Sequence, residues 1–182
     1  MIYKKVCILG APGVGKTSLI QRFVNGLFDE RYLVTIGAKI DARTVVTPSG
    51  EVQLMLWDLN GDEMFERVQT SYLRGMHGYL LVFDLTRPDT LEFALRLRET
   101  VEARGGNVPS IIIANKADLH AAAQVSTAQV STAQVSAAQV STAQLEPLKS
   151  HGLTLTSSKT GDGVEAAFAT LARLMLEGRG DE

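Results

Sequence analysis

Along the 182 residues, short β-branched runs alternate with longer stretches whose apolar side chains recur every three or four positions. The first pattern suits strands and the second amphipathic helices, so their alternation predicts βα units around a largely parallel sheet. Strands are expected at Ile2 to Leu9, Lys39 to Thr47, Val52 to Asp58, Tyr79 to Asp84, Ser110 to Asn115 and Leu153 to Thr156. Pro48, Ser49 and Gly50 sit in the four-residue gap between the second and the third. A link that short makes a hairpin, which puts one antiparallel edge on the sheet. Helices are expected at Lys16 to Asn25, about Glu63 to Leu73, Thr90 to Arg104 and Val164 to Glu177, the last with Val164, Phe168, Leu171 and Met175 at helical spacing. The fold class is α/β: a six-stranded, mostly parallel sheet with one antiparallel edge and helices on both faces, in a single domain over residues 1–182. Tyr3, Lys4 and Lys5 read as an edge-strand face in water, and Met76 and His77 as packing where a helix ends and a strand begins.

One stretch breaks the pattern. From Ala123 to Gln144 the unit AQVST recurs every five residues, with Ala137 in place of one threonine and Leu145 in place of the last valine. A period of five matches neither helix nor strand, so a helix here would wind its valines around all sides. The unit resembles pentapeptide-repeat proteins, but about three or more stacked units are needed to bury a core and these pentads complete about one coil. The reading adopted is a tandem expansion of a surface loop or helix start at about 121–145, poorly packed and tolerated because loop length costs little free energy.

Composition narrows the function class. At 45% hydrophobic residues the chain supports one ordinary core. A net charge of -2 gives no basic field, so no nucleic-acid partner is expected. The single cysteine, Cys7, excludes an internal disulfide and fits a reducing, cytoplasmic setting. The apolar run after Lys5 ends in a glycine loop, unlike a signal peptide, and nothing approaches the roughly 20 apolar residues of a membrane span.

The chemistry starts from two short motifs. GAPGVGKT, Gly10 to Thr17, matches G-x-x-x-x-G-K-[ST] between an expected strand and an expected helix. Its glycines, Gly10, Gly13 and Gly15, let backbone N–H groups of the loop around Pro12, with those of Val14 and Ser18, face a phosphate chain. Lys16 can reach the outer phosphates, and the Thr17 hydroxyl can join a Mg2+ shell. NKAD, Asn115 to Asp118, closes an apolar run at the carboxyl end of a strand, where open α/β sheets place ligands. The Asp118 carboxylate can accept both N1–H and the 2-amino group of guanine, and a carboxylate left unpaired makes adenine costly. The Lys116 stem can lie over the base, and the Asn115 amide can tie neighbouring loops. Alone, NKAD could be an Asx turn.

With the remaining motifs in order, the sequence resembles a Ras-superfamily small GTPase, nearest the Rab branch, over nearly its whole length. The resemblance implies GTP and GDP as substrate and product, Mg2+ as cofactor, and a P-loop small-GTPase fold. It places Thr35 in LVTIG as the switch I threonine, bound to Mg2+ and sensing the terminal phosphate. In WDLNGDE it gives Asp58 a water-mediated hold on Mg2+ and Gly61 an N–H to the same phosphate. In TSSK, Thr156 to Lys159, it implies that Ser157, Ser158 and Lys159 close over guanine, with the Ser158 N–H at O6. Phe28 stands where the family stacks an aromatic on the base, and Glu30 beside the ribose. Ile40, Trp57 and Tyr72 match the aromatic-apolar patch through which protein effectors and regulators are expected to bind, although Trp57 could equally pack beneath switch II.

Departures from the family bear on catalysis. Lys16, Thr35 and Gly61 are the expected catalytic groups, but Asp62 stands where the family keeps the glutamine that orients the attacking water. Aspartate is shorter and negative, so slow hydrolysis is expected. Pro12 replaces a usual glycine and would crowd an incoming arginine finger; Leu59 and Asn60 also differ. The alternative is a GTP-bound scaffold that does not hydrolyse. The tail LEGRGDE carries no cysteine, so no direct lipid anchor is expected, which suggests a soluble member such as those of prokaryotes.

Overall fold

The computed structural model describes residues 2–29, 37–59, 70–105, 107–120 and 139–177. Their elements run β1 (Ile2–Leu9), α1 (Lys16–Asn25), β2 (Ala38–Thr47), β3 (Gly50–Leu59), α2 (Thr70–Leu73), β4 (Gly78–Asp84), α3 (Pro88–Gly105), β5 (Ser110–Asn115), α4 (Thr142–Lys149), β6 (Leu153–Leu155) and α5 (Val164–Glu177). The six strands lie in the order β2-β3-β1-β4-β5-β6. Every neighbouring pair is parallel except β2 with β3, whose register closes on Thr47 opposite Gly50 around a two-residue turn. The Thr47 hydroxyl fastens that turn by donating to the Gly50 carbonyl at 2.9 Å and accepting from the Ser49 N–H.

Strand alternation sorts the core into two layers. Val6, Ile8, Leu54, Leu56, Leu80, Val82, Ile111 and Ile113 face α1 and α5. Their neighbours Cys7, Leu9, Tyr79, Leu81, Phe83, Ile112 and Ala114 face α3 and α4. All seven residues of β4 are buried, as a central parallel strand covered on both faces must be. Phe23 of α1 stacks on Phe168 of α5 with ring centroids 3.9 Å apart. Burial pushes the Cys7 thiol up to about 11, so it is a core residue and not a nucleophile.

Two expectations need correction. β1 is central and not an edge: Tyr3 is exposed, but Lys4 retains only 4% of its surface, and the Lys5 ammonium donates to the Arg74 carbonyl and lies 4.2 Å over the Trp57 ring. The strand's polar start hid its position, because long lysine stems cover apolar surface while the charge finds an acceptor. The end of the pentad tract is also better packed than expected. Val140 is 1% exposed within the α3–α4 layer, and its N–H donates to the Leu85 carbonyl. Ser141 then caps α4 in a reciprocal capping box with Gln144. That cap starts a helix despite Pro147 within it. The rest of the tract, residues 121–138, lies outside the described residues, as do residues 63–69 of the helix expected at Glu63 to Leu73.

Candidate functional site

The five parallel strands all run the same way, so the segments that follow β1, β3, β4, β5 and β6 meet along one edge of the sheet. The loop after β1 turns sharply there, with positive φ at Gly10, Gly13 and Gly15. A side chain at Gly10 would stand 2.1 Å from the Val82 carbonyl, and one at Gly15 would stand 2.4 Å from Asn115 Nδ2. These glycines are required by close approach as well as by backbone angle.

The Lys16 ammonium folds back over this loop and donates to the carbonyls of Gly10 and Ala11, both at 2.9 Å. One residue on, Thr17 Oγ1 donates to Asp58 Oδ2 at 2.5 Å, joining the start of α1 to the end of β3. Asp58 is buried, and among the described residues its Oδ1 has no hydrogen-bond partner. Burial pushes this carboxyl above its ordinary range; the Thr17 hydrogen bond and the charges of Lys16 and Lys39 offset part of that. A buried carboxylate oxygen without a hydrogen-bond partner, on a carboxylate that also meets a threonine hydroxyl, could ligate a hard cation.

Asn115 joins the other end of the groove to the loop after β1. Its Nδ2 donates to the Val14 carbonyl at 2.9 Å, while its Oδ1 accepts from Thr156 Oγ1 and from the N–H and hydroxyl of Ser158. The Ser158 N–H expected at guanine O6 thus lies on Asn115, within the same loop cluster. Asp118 accepts from the Ser157 hydroxyl at 2.7 Å. Lys116 holds a left-handed φ of 64° and stretches its ammonium to the Gly13 carbonyl at 3.0 Å and to Asp84 Oδ2 at 2.7 Å. Phe28 is half-buried beyond the end of α1, and Ser18 occupies the first turn of that helix.

Four contributors carried no sequence signal. Asp84, 1% exposed at the end of β4, pairs with Lys116 and with Arg87, and the Arg87 guanidinium donates to the Pro12 carbonyl at 2.9 Å. Burial pushes Asp84 up, but hydrogen bonds from Lys116 and Thr86 and the Lys116 charge outweigh it and hold the carboxyl below its ordinary value. Thr90 secures the Asp84 N–H from the start of α3. Arg22 reaches from α1 to the carbonyls of Ser158 and Lys159. A sequence pattern could mark Asp84 only as the polar end of an apolar strand.

Away from the groove, Ile40 lies opposite Trp57 in the β2–β3 register, and Trp57 tilts against Tyr72 with centroids 6.4 Å apart. Ile40 is 47% exposed, while Trp57 and Tyr72 are half-buried. The three expected patch residues form one surface. Glu30, Thr35, Gly61 and Asp62 lie outside the described residues.

The family model described as "Ras family" matches residues 5–177. The chain belongs to the Ras family. Among curated Ras-related relatives it is similar to Ras-related protein Rab-13 of Canis lupus familiaris, 31% identical over 175 residues, which cover 94% of this chain and 79% of that protein. The match to Rab-13 of Bos taurus has the same identity and coverage. Ras-related protein Rab-25 of Canis lupus familiaris is 36% identical over 124 residues, 68% of this chain and 58% of that protein. The chain is therefore a Rab-like small GTP-binding switch protein with the Ras-family sheet. Among the described residues, no helix is long and apolar enough to cross a membrane.

Proposed function

We propose that the groove binds GTP and GDP with Mg2+ and hydrolyses GTP slowly, and that residues of the loops described above divide the work by the part of the nucleotide they meet. Residues 10 to 18 cradle the phosphates with backbone N–H groups and the Lys16 charge. Asn115, Lys116 and Asp118, with Ser157, Ser158 and Lys159, read the base, and Phe28 and Glu30 border base and ribose. Thr17 and Thr35, with Asp58 through water, hold Mg2+; when bound, the ion neutralises charge on the phosphates. Ile40, Trp57 and Tyr72 offer protein effectors and regulators an apolar patch that changes with the nucleotide through Thr35 and Gly61.

The observation that carries this reading is the buried Asp58 carboxylate, bonded through one oxygen to Thr17 and with no hydrogen-bond partner among the described residues on the other. A charge so placed is costly unless a cation shares it. Among the described residues no three His, Cys, Asp or Glu side chains gather, which suits a metal carried in good part by the nucleotide. GDP affinity is expected to fall sharply on chelation of Mg2+, and Thr17→Ala is expected to remove much of that difference. An affinity indifferent to chelation would refute the metal assignment.

Slow hydrolysis follows from Asp62, a residue too short and too negative for the glutamine's task. In single-turnover assays at saturating Mg2+, Asp62→Gln is expected to raise the rate at least about tenfold, the loss of about 1.4 kcal/mol of barrier. An unchanged rate would sink this part of the proposal.

A further inference from the structure

The guanidinium of Arg22, on the last turn of α1, spends all three nitrogens on main-chain carbonyls. Nε donates to Ser158 O at 2.9 Å, one terminal nitrogen donates to Gly26 O at 2.9 Å, and the other donates to Lys159 O. Gly26 caps α1 in the left-handed conformation and returns its own N–H to the Arg22 carbonyl. It lies two residues before Phe28. One side chain therefore fastens the loop after β6 to the turn that leads to Phe28.

The contacts with the loop have a directional consequence. In a trans peptide the N–H points opposite to the preceding C=O, so fixing the Lys159 carbonyl on Arg22 aims the Thr160 N–H the other way. That N–H donates to Ser157 Oγ at 3.1 Å. A hydroxyl has a single proton to give. With Thr160 as donor to its oxygen, Ser157 turns its own proton to Asp118 Oδ1 at 2.7 Å. The ordered path runs from Arg22 through the Lys159–Thr160 peptide and the Ser157 hydroxyl to Asp118, with no link longer than a hydrogen bond.

We propose that Arg22 is a positioning residue for guanine selectivity, orienting the Asp118 carboxylate through the Lys159–Thr160 peptide and Ser157. This rests on the reading of Asp118 as the base-recognising group. A planar fork suits the task because it meets several carbonyls at set angles, which the single ammonium of lysine cannot do. The carboxylate needs that orientation most when it accepts two donors from one base edge, N1–H and the 2-amino group. A base that lacks the 2-amino group asks less of it.

GDP and IDP differ by that amino group alone, so their affinities measured side by side test the proposal. The wild-type chain is expected to prefer GDP. In Arg22→Ala, GDP binding is expected to weaken about tenfold and IDP binding less than half as much on the logarithmic scale, so that the GDP-to-IDP preference falls about threefold or more. Arg22→Lys is expected to lie between, and serves alone should the alanine variant fail to fold. In a Ser157→Ala background, Arg22→Lys is expected to leave the preference where Ser157→Ala has put it. Equal weakening of GDP and IDP would make Arg22 a general brace and overturn the proposal, as would an unchanged GDP affinity. Failure of the wild-type chain to bind GDP would instead overturn the reading of the groove.

Discussion

Asn115 Nδ2 and the Val14 carbonyl are 2.9 Å apart, and that contact ties the end of β5 to the loop after β1, 101 positions earlier in the chain. Three further bonds converge on the same side chain from Thr156 and Ser158. Removing it strands donors and an acceptor on two loops at once, each a buried group that costs about 1 kcal/mol or more when unpaired. Asn115→Ala is expected to weaken GDP binding at least about 100-fold, equivalent to about 2.7 kcal/mol, in an equilibrium displacement assay. Asn115→Asp should do as badly, since it cannot donate to Val14.

Glycines that share a positive φ should respond unequally to alanine. Gly10 and Gly26 both hold positive φ, at 147° and 68°. A Cβ at Gly26 meets nothing within 4 Å, whereas one at Gly10 meets the backbone carbonyl of Val82 at 2.1 Å. Gly26→Ala is expected to cost about 1–2 kcal/mol in urea unfolding, the strain of a left-handed alanine. Gly10→Ala is expected to exceed about 4 kcal/mol, because β4 is a central strand and cannot retreat.

Asp84 sets a pH dependence. Its carboxyl is held below its unfolded value, so it stabilises the fold above about pH 4 and that contribution drains away as pH falls through the folded pKa. Asp84→Asn leaves Lys116 and Arg87 without their shared carboxylate, at a cost of about 1–3 kcal/mol at pH 7, moderated because both cations are partly exposed. Unfolding measured from pH 7 downward should show the two proteins converging in stability below pH 4. A gap that stays constant with pH would count against the ion pairs.

At the seam between α1 and α5, packing should outweigh charge. Arg43 forms a two-pronged pair with Glu165 at 2.8 and 2.9 Å, but the glutamate side chain is 65% exposed. Glu165→Gln is expected to cost under about 1 kcal/mol. Phe168, fully buried and stacked on Phe23, is expected to cost about 3–5 kcal/mol on truncation to alanine. Thermal unfolding of both variants without nucleotide makes the comparison.

The strands were legible because period two and apolar runs are local properties. β1 and β5 match their expected ends, and β2, β3, β4 and β6 differ by one or two residues. α4 was hidden by Pro147 and by a repeat whose period suggests no helix; its start depends on Ser141 and Gln144, a capping box that occurs inside a tract of near-identical pentads. That the motif loops meet at the carboxyl ends of the strands was legible, because GAPGVGKT and NKAD each directly follow or close an apolar run that reads as a strand. Their supports were not. Arg22 meets Ser158 across 136 positions and Arg87 meets Pro12 across 75, and such pairings exist only once the sheet has brought strand ends together.

The place where the pentad tract rejoins the fold has a consequence for the gene. His120 Nε2 gives its proton to the Val140 carbonyl at 3.2 Å, so the chain leaves β5 and returns toward α4 through a pinched neck. Val140 is buried and Ser141 caps α4 at the far end of the length of chain that follows His120. Each doubling of that length costs only about 0.6 kcal/mol of closure entropy. Because five residues correspond to fifteen bases, gain or loss of a whole unit would keep the reading frame, and by the closure term alone it would cost the folded domain well under about 1 kcal/mol.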